Sequence, residues 1–369
     1  MPIVDEDNVD STPLFAKRLT KNFVNNVQGL IIENTITPRL MHIIGVNEYE
    51  LWLNELEKQV GLPLGRKLAH AASESEELRM INNKSSMPST IFNKMKKRVA
   101  WVNESWELSG LGQFEQMNKK DDEITLIVHN RAHSSFAAGM ASAAYEFLTS
   151  SRYRFHWSDD GNSESLITLE NDSRPIPCAE VTPIPWDDAK LDLEEFDEMH
   201  PLTIAYHESS GVWSLDGIRM MCINQDLLLR FEQSVLANLI DKQIPQSNRY
   251  KWNDIDDEER AKFWSLVAET SRLRFIARDE MALIAETEHW INAGYRFLTK
   301  FGLGAISDVR SVDEQGGVEI TLPKMYHPAI TVGILTAAWE KSEAREAKCE
   351  WSCSKKGHII KIIGLRTIA

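Results

Sequence analysis

Three side chains near the C-terminus have the types and spacing of a metal site: Cys349, Cys353 and His358, in the pattern C-x3-C-x4-H. Thiolate and imidazole suit zinc, and a closed zinc site takes four ligands. On a strand, Cys349, Trp351 and Cys353 share one face because side chains alternate. The two sulfurs then stand about 13 Å apart at strand rise, so one ion holds both only where a turn intervenes. Thiols without metal are the simpler reading. Cys178 and Cys222 have no spaced partner.

His133 and His327 are a second candidate pair. Each opens the same pattern, H-x5-G-x3-A-A-aromatic-E, which ends at Glu146 and Glu340. A histidine at a helix start can offer a hydrogen bond to a ligand beside the free N–H groups there. It can equally cap or pack the helix entry, and a duplicated position is as easily structural as chemical. Glu146 and Glu340 are suitable bases. They lie 13 residues from their histidines, almost 20 Å along a continuous helix at about 1.5 Å per residue. That spacing disfavours contact within one copy and leaves contact between copies open, and capping or solvated glutamates are the expected reading. A ligand pocket is expected between the helices and the sheet of each copy, with His133, Tyr145, His327 and Trp339 as its candidate residues. No G-x-S-x-G elbow, P-loop, H-E-x-x-H or dinucleotide glycine fingerprint occurs.

The elements that position these residues occur twice. Residues 123–146 and 319–340 both begin Glu-Ile-Thr-Leu and both continue into the histidine pattern. Upstream stand Gly110-Leu111-Gly112 and Gly302-Leu303-Gly304. Downstream, Trp157 and Trp351 fall at the same spacing from Gly139 and Gly333. Self-similarity of this kind indicates internal duplication.

The expected fold class is α+β: two tandem copies of a helix-rich domain with a small antiparallel sheet. Residues 1–20 read as a flexible arm, 21–172 as the first domain, 173–203 as a Pro-rich acidic linker and 204–369 as the second domain. In the first copy, apolar alternation over Leu30, Ile32, Ile36, Leu40 and Ile43 predicts a hairpin or a strand leading into a helix. Helices are expected at 47–60, from Gly65, and over 91–108 up to Gly110. Strands at 111–117 and 123–129, a helix from His133, and a hairpin of 152–157 with 164–170 complete it. The second copy is expected to follow with strands from Gly211, helices at 223–240 and 254–274, and one long helix over 278–300. Strands at 303–310 and 318–323, a helix from His327 to Glu340 and a hairpin over 347–363 close the chain.

At 369 residues the chain suits two domains of about 150 residues each. A net charge of −14 opposes a general nucleic-acid surface, although 94–98 is locally basic. No apolar run approaches the roughly 18 residues of a membrane span. The acidic N-terminus lacks a signal-peptide plan. Four cysteines give no disulfide framework, so a cytoplasmic location is expected. Eleven tryptophans are mostly core, with one or two available for an apolar pocket or interface.

The order of helix, G-L-G, strand, turn, strand, small-residue helix with a central glycine and final hairpin resembles the V4R (4-vinyl reductase) domain family, itself related to haem-NO-binding and TRAPP-type folds. Gly61-x3-Gly65-Arg66 is similar to that family's early glycine-rich helix, which the second copy lacks. Cys349 sits where such domains often carry a hairpin cysteine. The usual second cysteine falls near His358 or Ile359 and is absent, and the first copy has Phe155 in place of the first. The duplicated fold, the tryptophan content and the lack of catalytic constellations point to a non-enzymatic module binding a small apolar ligand, a partner protein, or both. The alternative is an enzyme, reductase-like or metal-dependent, with its site near Cys349 and His358. No cofactor is assigned.

Overall fold

Gly45 and Asn224 each end a strand and stand at the N-cap of the helix that follows. Those two strands lie side by side at the centre of the molecule. The computed structural model describes residues 12–365, apart from 90–91, 121–122, 160, 162, 174–177, 188, 196–203, 209, 279, 281–283 and 285. The expected arm over 1–11, the linker prolines Pro175 and Pro177 and the end of the acidic stretch thus lie outside the described residues.

The first half runs α1 (Thr12–Asn22), β1 (Phe23–Asn25), β2 (Ile31–Glu33), β3 (Arg39–Gly45), α2 (Val46–Val60), α3 (Gly65–Asn82) and α4 (Lys94–Leu108). It continues through β4 (Gln113–Lys120), β5 (Glu123–His129), α5 (Ser134–Thr149), β6 (Tyr153–Asp159) and β7 (Ser165–Asn171). The second half begins with β8 (Ile204–His207), β9 (Val212–Leu215), β10 (Ile218–Asn224), α6 (Gln225–Leu236), β11 (Tyr250–Trp252) and α7 (Glu258–Ala277). It ends with α8 (His289–Phe297), β12 (Asp308–Ser311), β13 (Val318–Leu322), α9 (Pro328–Glu343), β14 (Ala347–Ser354) and β15 (Gly357–Gly364).

The mixed α+β class expected from the sequence is what folds. Local rules place many of its elements. In α2, Tyr49, Trp52, Leu53, Leu56 and Val60 recur at helical spacing and are buried together. Gly61 ends that helix in the left-handed region, donating its N–H to the Glu57 carbonyl. Asn224 and Asp257 cap α6 and α7 by accepting from the N–H groups of Leu227 and Arg260.

Three sheets result. The central one has the order β1-β2-β3-β10-β9-β8. Its middle pair, β3 and β10, is antiparallel with Ile43 opposite Cys222. The flanking sheets have the orders β4-β5-β7-β6 and β11-β14-β15-β13-β12. Helices α3 and α5 pack together beside the first, and α7 and α9 beside the second. The halves are interlocked rather than side by side: α6 packs on α3, and α2 on α7. One apolar core runs through both, from Trp52 and Trp106 to Trp264 and Trp351. The G-L-G tripeptides belong to this crossing. A Cβ on Gly110 would strike the Met220 carbonyl on β10, and one on Gly302 would strike the Met41 carbonyl on β3.

Several expectations are corrected. Residues 12–20 belong to α1, whose Phe15 and Leu19 are buried against β8 and β9 residues such as Trp213. Burial of two large side chains outweighs a polar composition. The long helix expected over 278–300 is broken: α7 runs on to Ala277, Arg278 turns extended, and helix resumes at His289. The strand expected over 303–310 pairs only from Asp308, because Gly304 and Ala305 instead donate to the carbonyls of Gly29 and Gln28. The described part of the linker carries no strand or helix, yet it is strapped down. Asn26 donates to the Asp192 carbonyl at 2.6 Å and Lys324 to that of Ala189 at 3.1 Å. Trp186 is buried edge-on against Trp264 and His327. Among the described residues, no helix is long and apolar enough to cross a membrane.

Candidate functional site

His133 and His327 both stand at helix N-caps. Each accepts a hydrogen bond through Nδ1, from the Ser135 and Ala329 N–H groups respectively, both at 3.2 Å. That leaves the proton on Nε2. In His327 this N–H donates to Glu232 Oε2 at 3.1 Å, and the same carboxylate receives Trp264 Nε1 at 2.9 Å and Arg260 Nε at 2.7 Å. His327 is 1% exposed and its ring is fully engaged. Burial holds His133 down to a pKa of about 4, with Asp159 opposing and Arg131 adding to the shift. Both histidines act as capping groups.

Tyr145 and Trp339 are also occupied. The Tyr145 hydroxyl donates to Gln116 Oε1 at 2.9 Å and the Trp339 indole to the Gly316 carbonyl at 2.8 Å. The four residues thus lie at two helix–sheet interfaces, one in each half, with these polar groups paired inside the protein. Glu146 and Glu340, expected as capping or solvated groups, close turns. They accept from the Tyr153 and Ala347 N–H groups at 2.8 and 2.9 Å. Arg152 pairs with the first at 2.9 Å, and Arg249 and Arg272 with the second at 2.8 and 2.6 Å.

The metal set Cys349, Cys353 and His358 does not converge. Cys353 lies opposite His358 across the β14–β15 ladder, with Sγ 4.0 Å from Nε2. Cys349 lies four residues along, opposite Ile362 and buried. Burial pushes its thiol up to about 12, away from the thiolate a metal needs. The ladder stays straight through both cysteines, so no turn brings the sulfurs together. Among the described residues, no group of three or more His, Cys, Asp or Glu side chains could hold a metal ion.

What the halves do enclose is a cavity of about 280 Å³. β3 and α2 of the first half meet β10, α7, α8 and α9 of the second around it, with apolar walls that include Ile43, Trp52, Met220, Phe275 and Phe297. Polar groups in the wall are mostly paired within it. Trp52 Nε1 donates to Ser271 Oγ at 3.0 Å, and the Tyr326 hydroxyl to the Ile223 carbonyl at 3.1 Å. His42 differs. Its Nδ1–H donates to the Phe301 carbonyl at 2.8 Å. Burial, reinforced by Arg278 and opposed by the Phe301 bond, lowers its pKa to about 4. The ring is thus neutral near pH 7, with Nε2 an acceptor that no described protein group engages. At the rim, Arg274 and Arg278 both reach Glu48.

Sequence reasoning missed this cavity because its walls join Tyr326, Ile330 and Ile334 of the second repeated block to β3, α2, β10 and α7, which lie outside both blocks. The contacts of the two helix pairs set the register in which the halves differ. Ala69 and Ala268 are the residues whose carbonyls abut Gly139 and Gly333. Seven residues after each stand Glu76 and Phe275, and ten after each stand Arg79 and Arg278. In the first half Glu76 and Arg79 form a buried ion pair at 2.5 Å, and the Trp106 indole donates to Glu76 at 2.9 Å. Where that half fills its space with charge, the second places a phenylalanine and leaves room.

No family model matches the chain, and no curated protein or solved structure matches it.

Proposed function

We propose that this chain is a non-enzymatic binding module, built from a duplicated V4R-like domain, that holds a small apolar ligand between its halves. The observation that carries the reading is the cavity: apolar walls with one unengaged ring nitrogen, His42 Nε2. Its volume of about 280 Å³ is near the lower end of ligand pockets, roughly 300–1,000 Å³. An apolar cavity of about 150 Å³ takes benzene, so a ligand of roughly ten heavy atoms fits. Duplication is supported by the matching strand orders β4-β5-β7-β6 and β12-β13-β15-β14 and by paired details at His133 and His327. The reading includes a cytoplasmic location, and a protein partner remains compatible with it. The metal-dependent or reductase alternative near Cys349 and His358 has less support, because a buried protonated thiol is a poor ligand and nucleophile.

Titration with 1-octanol in a calorimeter tests the reading. Its hydroxyl can donate to His42 Nε2 while its chain fills the cavity. Saturable one-to-one binding, weakened several-fold in His42→Phe, is expected. Absence of saturable heat with octanol in the folded protein would remove the cavity as a ligand site.

A further inference from the structure

The rim of the cavity carries a charge cluster that the apolar walls do not require. Glu48 on α2 accepts from Arg274 Nε and NH2 at 3.2 and 3.1 Å, and pairs with Arg278 NH2 at 3.3 Å. Two guanidiniums thus share one carboxylate, and this cluster has one excess positive charge. Glu280, also on the rim, is exposed and outside ion-pair distance of both. All three groups are partly sheltered, with side chains 19–30% exposed, where an ion pair is screened less than on open surface. Guanidinium forks match carboxylates in geometry as well as charge. The arrangement also spans the halves, since Glu48 belongs to the first and the arginines to α7 and its end.

From this we infer that the ligand is an organic monocarboxylate with an apolar tail, whose acid group takes the place of Glu48 on Arg274 and Arg278. The inference rests on the cavity reading above and adds the chemical class of the ligand. The tail lies among Trp52, Phe275 and Phe297, and the acid stays at the rim. Displacing Glu48 releases α2 from α7, so occupancy loosens one ionic tie between the halves.

Calorimetric titration of the full chain with octanoate and 1-octanol at pH 7.5 separates the two readings. Octanoate is expected to bind about tenfold more tightly than octanol, the gain of a charge-assisted pair. Arg278→Gln and Arg274→Gln should erase most of that difference, and a circular-dichroism spectrum and cooperative melt like the parent's report that the variants are folded. Glu48→Gln, which removes the competing carboxylate, should tighten octanoate several-fold and leave octanol unchanged. Equal binding of the two ligands, or an octanoate advantage that survives in the arginine variants, would overturn the acid assignment and leave the cavity standing. No gain in Glu48→Gln would overturn the exchange. Binding of neither ligand would remove both readings.

Discussion

Gly333 on α9 lies directly against the carbonyl oxygen of Ala268 on α7, and a Cβ at Gly333 would overlap that oxygen. Gly139 stands in the same relation to Ala69 where α5 crosses α3. The two helix pairs therefore approach closely enough to exclude any side chain at these points. Gly333→Ala must push the helices apart or shift α9, an overpacking that costs about 1–3 kcal/mol and occasionally more. Urea unfolding of Gly333→Ala and Gly139→Ala should each show a midpoint lowered accordingly. A variant with wild-type stability would contradict the packing described.

Two buried histidines make stability depend on pH in a defined window. An unfolded histidine takes up a proton near 6.5, whereas His42 and His133 do so in the fold only near 4. Between those values the unfolded chain binds more protons, so each histidine makes stability fall as pH drops from about 6.5 to 4. The loss per histidine is roughly 3 kcal/mol across the whole window. His133→Asn keeps a capping oxygen without a titrating ring. Its unfolding free energy measured from pH 7 to 5 should change less steeply than that of the parent chain.

Trp186 fastens the strap between the halves. Its ring meets Trp264 and His327 edge-on, with centroids 5.6 and 5.7 Å away. Trp186→Ala leaves a hole between the strap and α7 and should cost about 3–5 kcal/mol if the strap unfolds with the core. If the strap detaches alone, global stability falls less and limited proteolysis cuts near residue 186 first. Either result shows the anchor. An unchanged melting point together with an unchanged cleavage pattern would show that it is not one.

The thiols should differ sharply in reactivity. Burial raises the pKa of Cys222 and Cys349, while Cys178 is exposed. At pH 8 a disulfide-exchange reagent should modify Cys178 within minutes and reach Cys222 and Cys349 only with denaturant. Mass mapping of the labelled peptides reads this directly. Rapid native labelling of Cys349 would revive it as a chemical group.

Local signals made much of the fold legible before any contact was known. The helix at 47–60, expected from its apolar spacing, forms over Val46–Val60, and the hairpin expected at 347–363 forms over Ala347–Gly364. His133 and His327 were readable as helix entries because capping is a relation between residues two apart. These elements are set by interactions within one or two turns, and a chain records those in its own order.

Other features depended on partners far along the chain. The burial of Phe15 and Leu19 needs strands some 200 residues away. The shortened strand before Asp308 follows from contacts with the other half, where Gly304 and Ala305 donate to Gly29 and Gln28. So does the cavity, which exists only because β3 pairs with β10 and α2 lies on α7. The repeated blocks drew attention to His133, Tyr145, His327 and Trp339, whose polar groups make hydrogen bonds within the protein. The repeated blocks are legible in chain order alone, whereas Glu48 and Arg278, 230 residues apart, become neighbours only when the two halves close on each other.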